Sequence, residues 1–262
     1  AGSSGNTLSI TNSAASTFSG AVTLNNNLTL APTLTNLLTL SGGITGTGNL
    51  VINGSGTTAA VTISGVAVNH TGTITSQGTN TGTTMISAVI DTNVTGVVQN
   101  SATSQLTLSG VNTFTGGLTI KSGMVSGTTS ASAFGAGNIT LGDTSGTANA
   151  ALLVGTTALA IANPIILATN ATVGTLTIGN SGSIAALIFS GGVTGTNNFT
   201  INNAGGSGTI TLSTGAVNNA GTVTNIGTST GTTTISAAVG SNVTTIIENS
   251  ATSALTVSSA VT

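Results

Sequence analysis

Apolar and polar residues alternate one by one in short runs along the whole chain, and nearly every run is closed by Gly, Asn or Ser. Leu106-Thr107-Leu108, Leu118-Thr119-Ile120 and Ile139-Thr140-Leu141 are typical. Strict alternation predicts strands with one dry and one wet face, joined by tight turns. The pattern places strands at Thr7 to Ile10, Ala21 to Leu24, Leu37 to Leu40, Asn49 to Ile52, Ala60 to Ile63 and Gly72 to Thr75. Others follow at Ile86 to Ile90, Val94 to Val98, Leu106 to Leu108, Leu118 to Ile120, Ile139 to Leu141 and Ala151 to Val154. Beyond Pro164 come Ile165 to Leu167, Leu176 to Ile178, Ala186 to Phe189 and Phe199 to Ile201. No segment carries a sustained helical period with caps.

So many short strands in an all-β chain close most simply as a parallel β-helix, with coils stacked about 4.8 Å apart. The crossover rule for parallel strands makes that β-solenoid right-handed. Composition fits this geometry. One Lys or Arg, three acids, no Cys and no Trp occur among 262 residues, against 38 Gly. Like charges stacked coil over coil would repel, whereas neutral ladders avoid that cost. Asn at a turn can bond the next coil through its side chain, and Pro32 and Pro164 lose no ladder donor if they begin their strands.

A long internal repeat runs with a shift of 149 residues, as in GGITGTGNLVIN from Gly42 and GGVTGTNNFTIN from Gly191. Gly78 to Ser109 and Gly227 to Ser258 agree at 20 of 32 positions without a gap. The copies, 38–113 and 187–262, are joined by 114–186 with no linker of distinct composition. Duplicated coils of one continuous, elongated solenoid over 1–262 explain this better than two globular domains.

The segment from Ser104 to Leu141 resembles the β-strand repeat of bacterial autotransporter passenger regions. Leu106, Leu108, Gly110, Asn112-Thr113-Phe114, Gly116-Gly117, Ile120, Gly123, Phe134-Gly135-Ala136-Gly137, Ile139 and Leu141 carry the likeness, with Leu118 and Met124-Val125 departing from the usual pattern. The resemblance implies a surface β-solenoid outside a bacterial cell.

A formal charge of −2 excludes the basic footprint of a nucleic-acid binder. The apolar run from Ala148 to Ala168 would draw a hydropathy window, but Gly155-Thr156-Thr157, Asn163-Pro164 and the lack of flanking basic residues argue against a spanning helix. The absence of cysteine fits a bacterial surface protein without deciding it. Opening at Ala1 suggests a removed leader or a cut from a longer sequence.

Candidate chemistry is sparse, and no catalytic, cofactor-binding or metal residue is expected. His70 is the one imidazole, its counterpart in the second copy is Asn219, and it reads as a solvated turn residue. Asp91 corresponds to Gly240 and Glu248 to Gln99, so neither acid occurs in both copies. Two-carboxylate hydrolysis needs its acids within about 5 to 10 Å. Lys121 and Asp143 could pair across coils, at about 0 to 1 kcal/mol if exposed. Gly42-Gly43 and Gly116-Gly117 lack the Lys and helix of a phosphate loop and read as turns. Asn27-Leu28-Thr29 and Asn93-Val94-Thr95 are sequons expected by chance in such a chain.

The expected function is therefore structural: an extracellular fibre or filament subunit, or a stalk, without enzymatic activity. Val261-Thr262 corresponds to Asn112-Thr113, and Phe18-Ser19-Gly20 looks like the segment that would follow, which is compatible with head-to-tail self-association. The alternative is an adhesin region binding carbohydrate or neighbouring cells. Ice binding, suggested by Thr71-Gly72-Thr73, Thr79-Asn80-Thr81 and Thr222-Val223-Thr224, is a third reading.

Overall fold

The structure is a computed structural model that describes residues 8–155, 159–170, 172, 174–182 and 186–261. Thr7, Thr156, Thr157 and Thr262, which figured in the sequence reading, lie outside the described residues. The chain divides into two compact units. The first comprises Ala1–Thr119, Gly123–Val125 and Ser132–Gly137, and the second Ile120–Ser122, Ser126–Ala131 and Asn138–Thr262. Each is a parallel β-solenoid, and together they hold about 11 turns. Strand β13 (Leu118–Gly127) supplies residues to both. No helix occurs among the described residues.

In the first unit every coil presents three faces. One face stacks β1 (Leu8–Ile10), β4 (Leu28–Leu30), β7 (Leu50–Ile52), β9 (Gly72–Ser76) and β11 (Val94–Asn100). A second stacks β2 (Ser16–Phe18), β5 (Leu37–Leu40), β8 (Ala60–Ile63), β10 (Thr84–Ile86) and β12 (Leu106–Leu108). The third pairs β3 (Val22–Leu24) with β6 (Ile44–Gly46) and continues as single bridges from Ile44 to Val68 to Ile90. Leu8 pairs with Leu28, Leu28 with Leu50 and Leu50 with Ile74, so these coils hold 20, 22 and 24 residues.

The second unit repeats the plan. β15 (Ala150–Val154), β18 (Leu176–Asn180), β21 (Phe199–Asn202), β23 (Gly221–Asn225) and β25 (Val243–Glu248) form one face. β16 (Leu159–Ile161), β19 (Ala186–Phe189), β22 (Thr209–Leu212), β24 (Thr233–Ile235) and β26 (Leu255–Val257) form another. The third stacks β14 (Ile139–Leu141), β17 (Ile165–Leu167) and β20 (Val193–Gly195), then bridges Val193, Val217, Val239 and Val261. β19 to β26 lie 149 residues after β5 to β12, so the sequence repeat is a repeat of strands.

Alternation builds the core directly. Leu28 and Leu30, Leu50 and Ile52, and Leu38 and Leu40 point inward and are buried, while Thr29, Val51 and Thr39 between them face out. Phe114, Phe134 and Phe199 are the largest fully buried side chains. Glycine is required where a corner brings two backbones together. At Gly46 φ is +90° and an added Cβ would meet the Leu24 carbonyl oxygen, and at its counterpart Gly195 φ is +98° with Leu167 in the same role.

Several strand expectations need correction. β2, β4, β6, β16 and β20 (Val193–Gly195) were not anticipated. Ile86 to Ile90 is not one strand: β10 ends at Ile86, and Ile90 bridges on the third face, because the chain turns a corner between them. Pro32 sits in the corner after β4 rather than beginning a strand, whereas Pro164 directly precedes β17. The run from Ala148 to Ala168 contains β15, β16 and β17, and no helix among the described residues is long and apolar enough to cross a membrane.

Candidate functional site

Most of the distinctive chemistry of this chain lies inside its corners. Strand alternation continues past Ile74 to put Ser76 inward, and past Val97 to put Gln99 inward, so polar side chains enter the dry interior where the chain turns. A buried polar group there needs a partner. In the first copy Gln99 Nε2 donates to the Ser104 carbonyl at 2.5 Å and the Ser101 carbonyl at 3.3 Å. The Ser101 hydroxyl donates to the Gly78 carbonyl of the preceding coil, and Ser104 Oγ donates to Gly82 O.

The second copy reproduces these serine bonds. Ser250 Oγ donates to Gly227 O at 2.5 Å and Ser253 Oγ to Gly231 O at 2.7 Å. The residue corresponding to Gln99 is Glu248, whose carboxylate has no proton to donate in its ionised form. Asn225, corresponding to Ser76, supplies the missing donor. Its Nδ2 bonds Ser253 O at 2.5 Å and both Glu248 oxygens at 3.1 Å, while its Oδ1 accepts from Thr233 Oγ1 at 3.0 Å.

A third buried amide serves the same corner from two different places. Asn80 Nδ2 donates to Ala59 O in the first copy. In the second, Asn203 Nδ2 donates at 2.8 Å to Gly208 O, the carbonyl equivalent to Ala59. Gly54 stands where Asn203 would be, and a Cβ there would meet Asn80 Nδ2 at 2.9 Å. In each copy a single carboxamide, Asn80 or Asn203, serves this carbonyl.

His70 is a correction to the sequence reading: it is fully buried, not a solvated turn residue. Val68 and Ile74 point inward on either side of it, and the inward phase carries the imidazole into the core. Nε2 lies 3.5 Å from Thr73 O and Nδ1 has no partner. Burial pushes the imidazole below its ordinary pKa, opposed by the bond to Thr73. Asn219 is buried in the same place and donates to Asn197 O at 2.8 Å.

Asn residues on the outer side of the corners tie coil to coil, as expected for turn asparagines. Asn49 Oδ1 accepts from Thr73 N at 2.9 Å, Asn149 Oδ1 from Thr175 N at 2.8 Å and Asn198 Oδ1 from Thr222 N at 2.7 Å. The sequon residue Asn27 accepts from Asn49 N in the same way.

The acids are engaged separately. Asp91 is held below the ordinary carboxylate range by the Thr92 amide and then by the Thr113 hydroxyl at 2.8 Å. Asp143 lies 3.9 Å from Lys121 Nζ. Among the described residues no group of three or more His, Cys, Asp or Glu side chains could hold a metal ion.

Outward threonines form columns: Thr17, Thr39 and Thr62 on one face of the first unit, and Thr177, Thr200 and Thr224 on one face of the second. Thr177 and Thr200 hydroxyls bond each other at 2.9 Å. Beside the latter column runs a shallow groove of about 440 Å³ lined by Asn149, Thr175, Asn198 and Thr222. The three Thr triplets singled out in the sequence do not share a column: Thr79 and Thr81 flank the buried Asn80 in a corner, away from Thr71 and Thr73.

Known protein families, curated proteins and solved structures give no match to this chain. Its chemistry must be read from the arrangement alone. The inward amides and hydroxyls act on backbone carbonyls of their own and of neighbouring coils, and the outward ones offer a neutral surface able to donate and accept hydrogen bonds. The buried corner residues were missed in the sequence, although the pentapeptide Asn-Ser-Ala-Thr-Ser, identical at 100–104 and 249–253, was their signal.

Proposed function

We propose that this chain is an extracellular structural protein, a stiff and nearly uncharged β-solenoid that serves as a surface fibre subunit or stalk and associates with copies of itself. One observation carries the reading: the polar side chains of the corners bond coil to coil. Ser101 to Gly78 and Ser250 to Gly227 do so in both copies. Such bonds resist shear between coils, which is a mechanical property. The neutral outer columns lower repulsion between copies laid against one another. The finer assignment, to the autotransporter passenger class at a bacterial surface, rests on the motif from Leu106 to Leu141.

Electron microscopy and sedimentation of the purified chain test self-association. Filaments or a concentration-dependent shift in mass are expected. Monodisperse single particles up to millimolar concentration would remove the fibre reading and leave the stalk.

A second reading, adhesion to carbohydrate, is favoured by the groove lined by Asn149, Thr175, Asn198 and Thr222, where amides and hydroxyls could match sugar hydroxyls. Glycan-array binding that disappears on Thr175→Val and Thr222→Val substitution would support it. An array with no signal above background would dismiss it.

A further inference from the structure

The two copies differ at one corner in a way that points to a bound ligand. In the second copy three groups converge on the carboxamide of Asn225: the Glu248 carboxylate and Ser253 O receive its amide protons, and Thr233 Oγ1 donates to its oxygen. The equivalents in the first copy are Gln99, Ser104 O and Thr84, arranged around Ser76. Ser104 O is served by Gln99 itself. Gln99 Oε1 and Ser76 Oγ, however, are both buried and both without a partner. Ser76 and Gln99 are paired in register on adjacent coils, so these two atoms face the same interval. Thr84 is buried too, at the repeat position that Thr233 holds beside Asn225 in the second copy.

We infer that the first copy binds one internal water molecule between Ser76 Oγ and Gln99 Oε1, in the place taken by the Asn225 carboxamide in the second. The water donates one proton to Gln99 Oε1 and accepts from the Ser76 or the Thr84 hydroxyl. That gives it the two to four polar partners a buried water needs. The size is right as well. Asn exceeds Ser by roughly the volume of a water in the liquid, about 30 Å³. The inference is independent of any role outside the cell.

The test is a crystal structure of the whole chain at about 1.5 Å, together with a Ser76→Asn variant. Expected is one ordered peak within about 3.2 Å of both Ser76 Oγ and Gln99 Oε1. The variant should lose that peak, lose one slowly exchanging water by oxygen-17 relaxation dispersion, and melt a few degrees higher, because the carboxamide replaces an immobilised water. A wild-type map with no peak and the Ser76 hydroxyl bonded directly to Gln99 overturns the inference. So does an unchanged count of slow waters in a folded variant. A variant that does not fold leaves the wild-type map and wild-type water count to decide.

Discussion

Residues 38–113 and 187–262 form the same succession of strands, yet they satisfy their corners with different side chains. The first copy uses Gln99 as donor with a small Ser76 beside it, whereas the second uses Asn225 as donor with the acceptor Glu248 beside it. One copy reaches a corner carbonyl with Asn80 from the next coil, the other with Asn203 from the same coil. Four carbonyls are served in both copies, those of Gly78, Gly82, Ser104 and Ala59 and their equivalents, so a corner is defined by the acceptors it must satisfy and not by a residue at a given position.

The strongest way to break this equivalence is Gln99→Glu alone. It removes the donor to Ser101 O and Ser104 O and buries a carboxylate beside Ser76, for a loss of about 3 kcal/mol or more. The urea midpoint should drop accordingly, and adding Ser76→Asn should recover part of it by restoring the donor to Ser104 O, as Asn225 serves Ser253 O in the second copy, whereas the carboxylate stays buried at the position of Gln99 and is exposed at Glu248. A double variant no better than the single one would mean the two corners are not interchangeable.

Next comes the shifted asparagine. Asn80→Ser leaves Ala59 O without its donor and should cost about 1 to 3 kcal/mol. Gly54→Asn alone should also destabilise, since the new Cβ meets Asn80. The two together should melt close to the parent, which a double-mutant cycle by thermal unfolding can measure.

A smaller effect separates His70 from Asn219. Burial lowers the folded pKa of His70 below its ordinary 6.5. On acidification the unfolded chain binds the proton first, so stability falls as pH drops from about 6.5 toward the folded value and is unaffected above that window. His70→Asn should flatten this slope in urea titrations between about pH 7 and 5. An unchanged slope would assign the pH dependence to another group.

The least disruptive change is at the surface. Met85 interrupts a threonine column between Thr62 and Thr107, whereas Thr234 fills the equivalent position in the second copy. Met85→Thr should alter stability by no more than about 0.5 kcal/mol, as read from the melting temperature.

Much of this architecture was legible in the chain because a strand of period two shows its inward phase directly. Leu37 to Leu40, Ala60 to Ile63 and Ala186 to Phe189 were bounded correctly for that reason. The asparagine bonds between coils followed from turn chemistry. The same alternation, continued one step from Val68, would have put His70 inside, but a lone imidazole between Asn69 and Thr71 reads as polar surface. Corner partners were not legible, since they depend on coil length. A carbonyl such as Ala59 O is reached from Asn80 across a turn whose residue count no periodicity reveals. Three faces per coil also stayed hidden, because the third is reduced to single bridges at Val68 and Ile90.

The unequal coils have a practical side. In the second unit Leu152 pairs with Ile178 and Leu159 with Leu187, steps of 26 and 28 residues, beside steps of 22 to 24 from β18 and β19 onward on the same two faces. The parallel ladders remain in register across this variation. The additional residues fall between strands, and the paired strands keep their one-to-one register. A foreign peptide of a few residues grafted into such an interval should therefore be displayed without disturbing the stack, and point insertions and deletions accumulated by descent should gather there rather than in the strands.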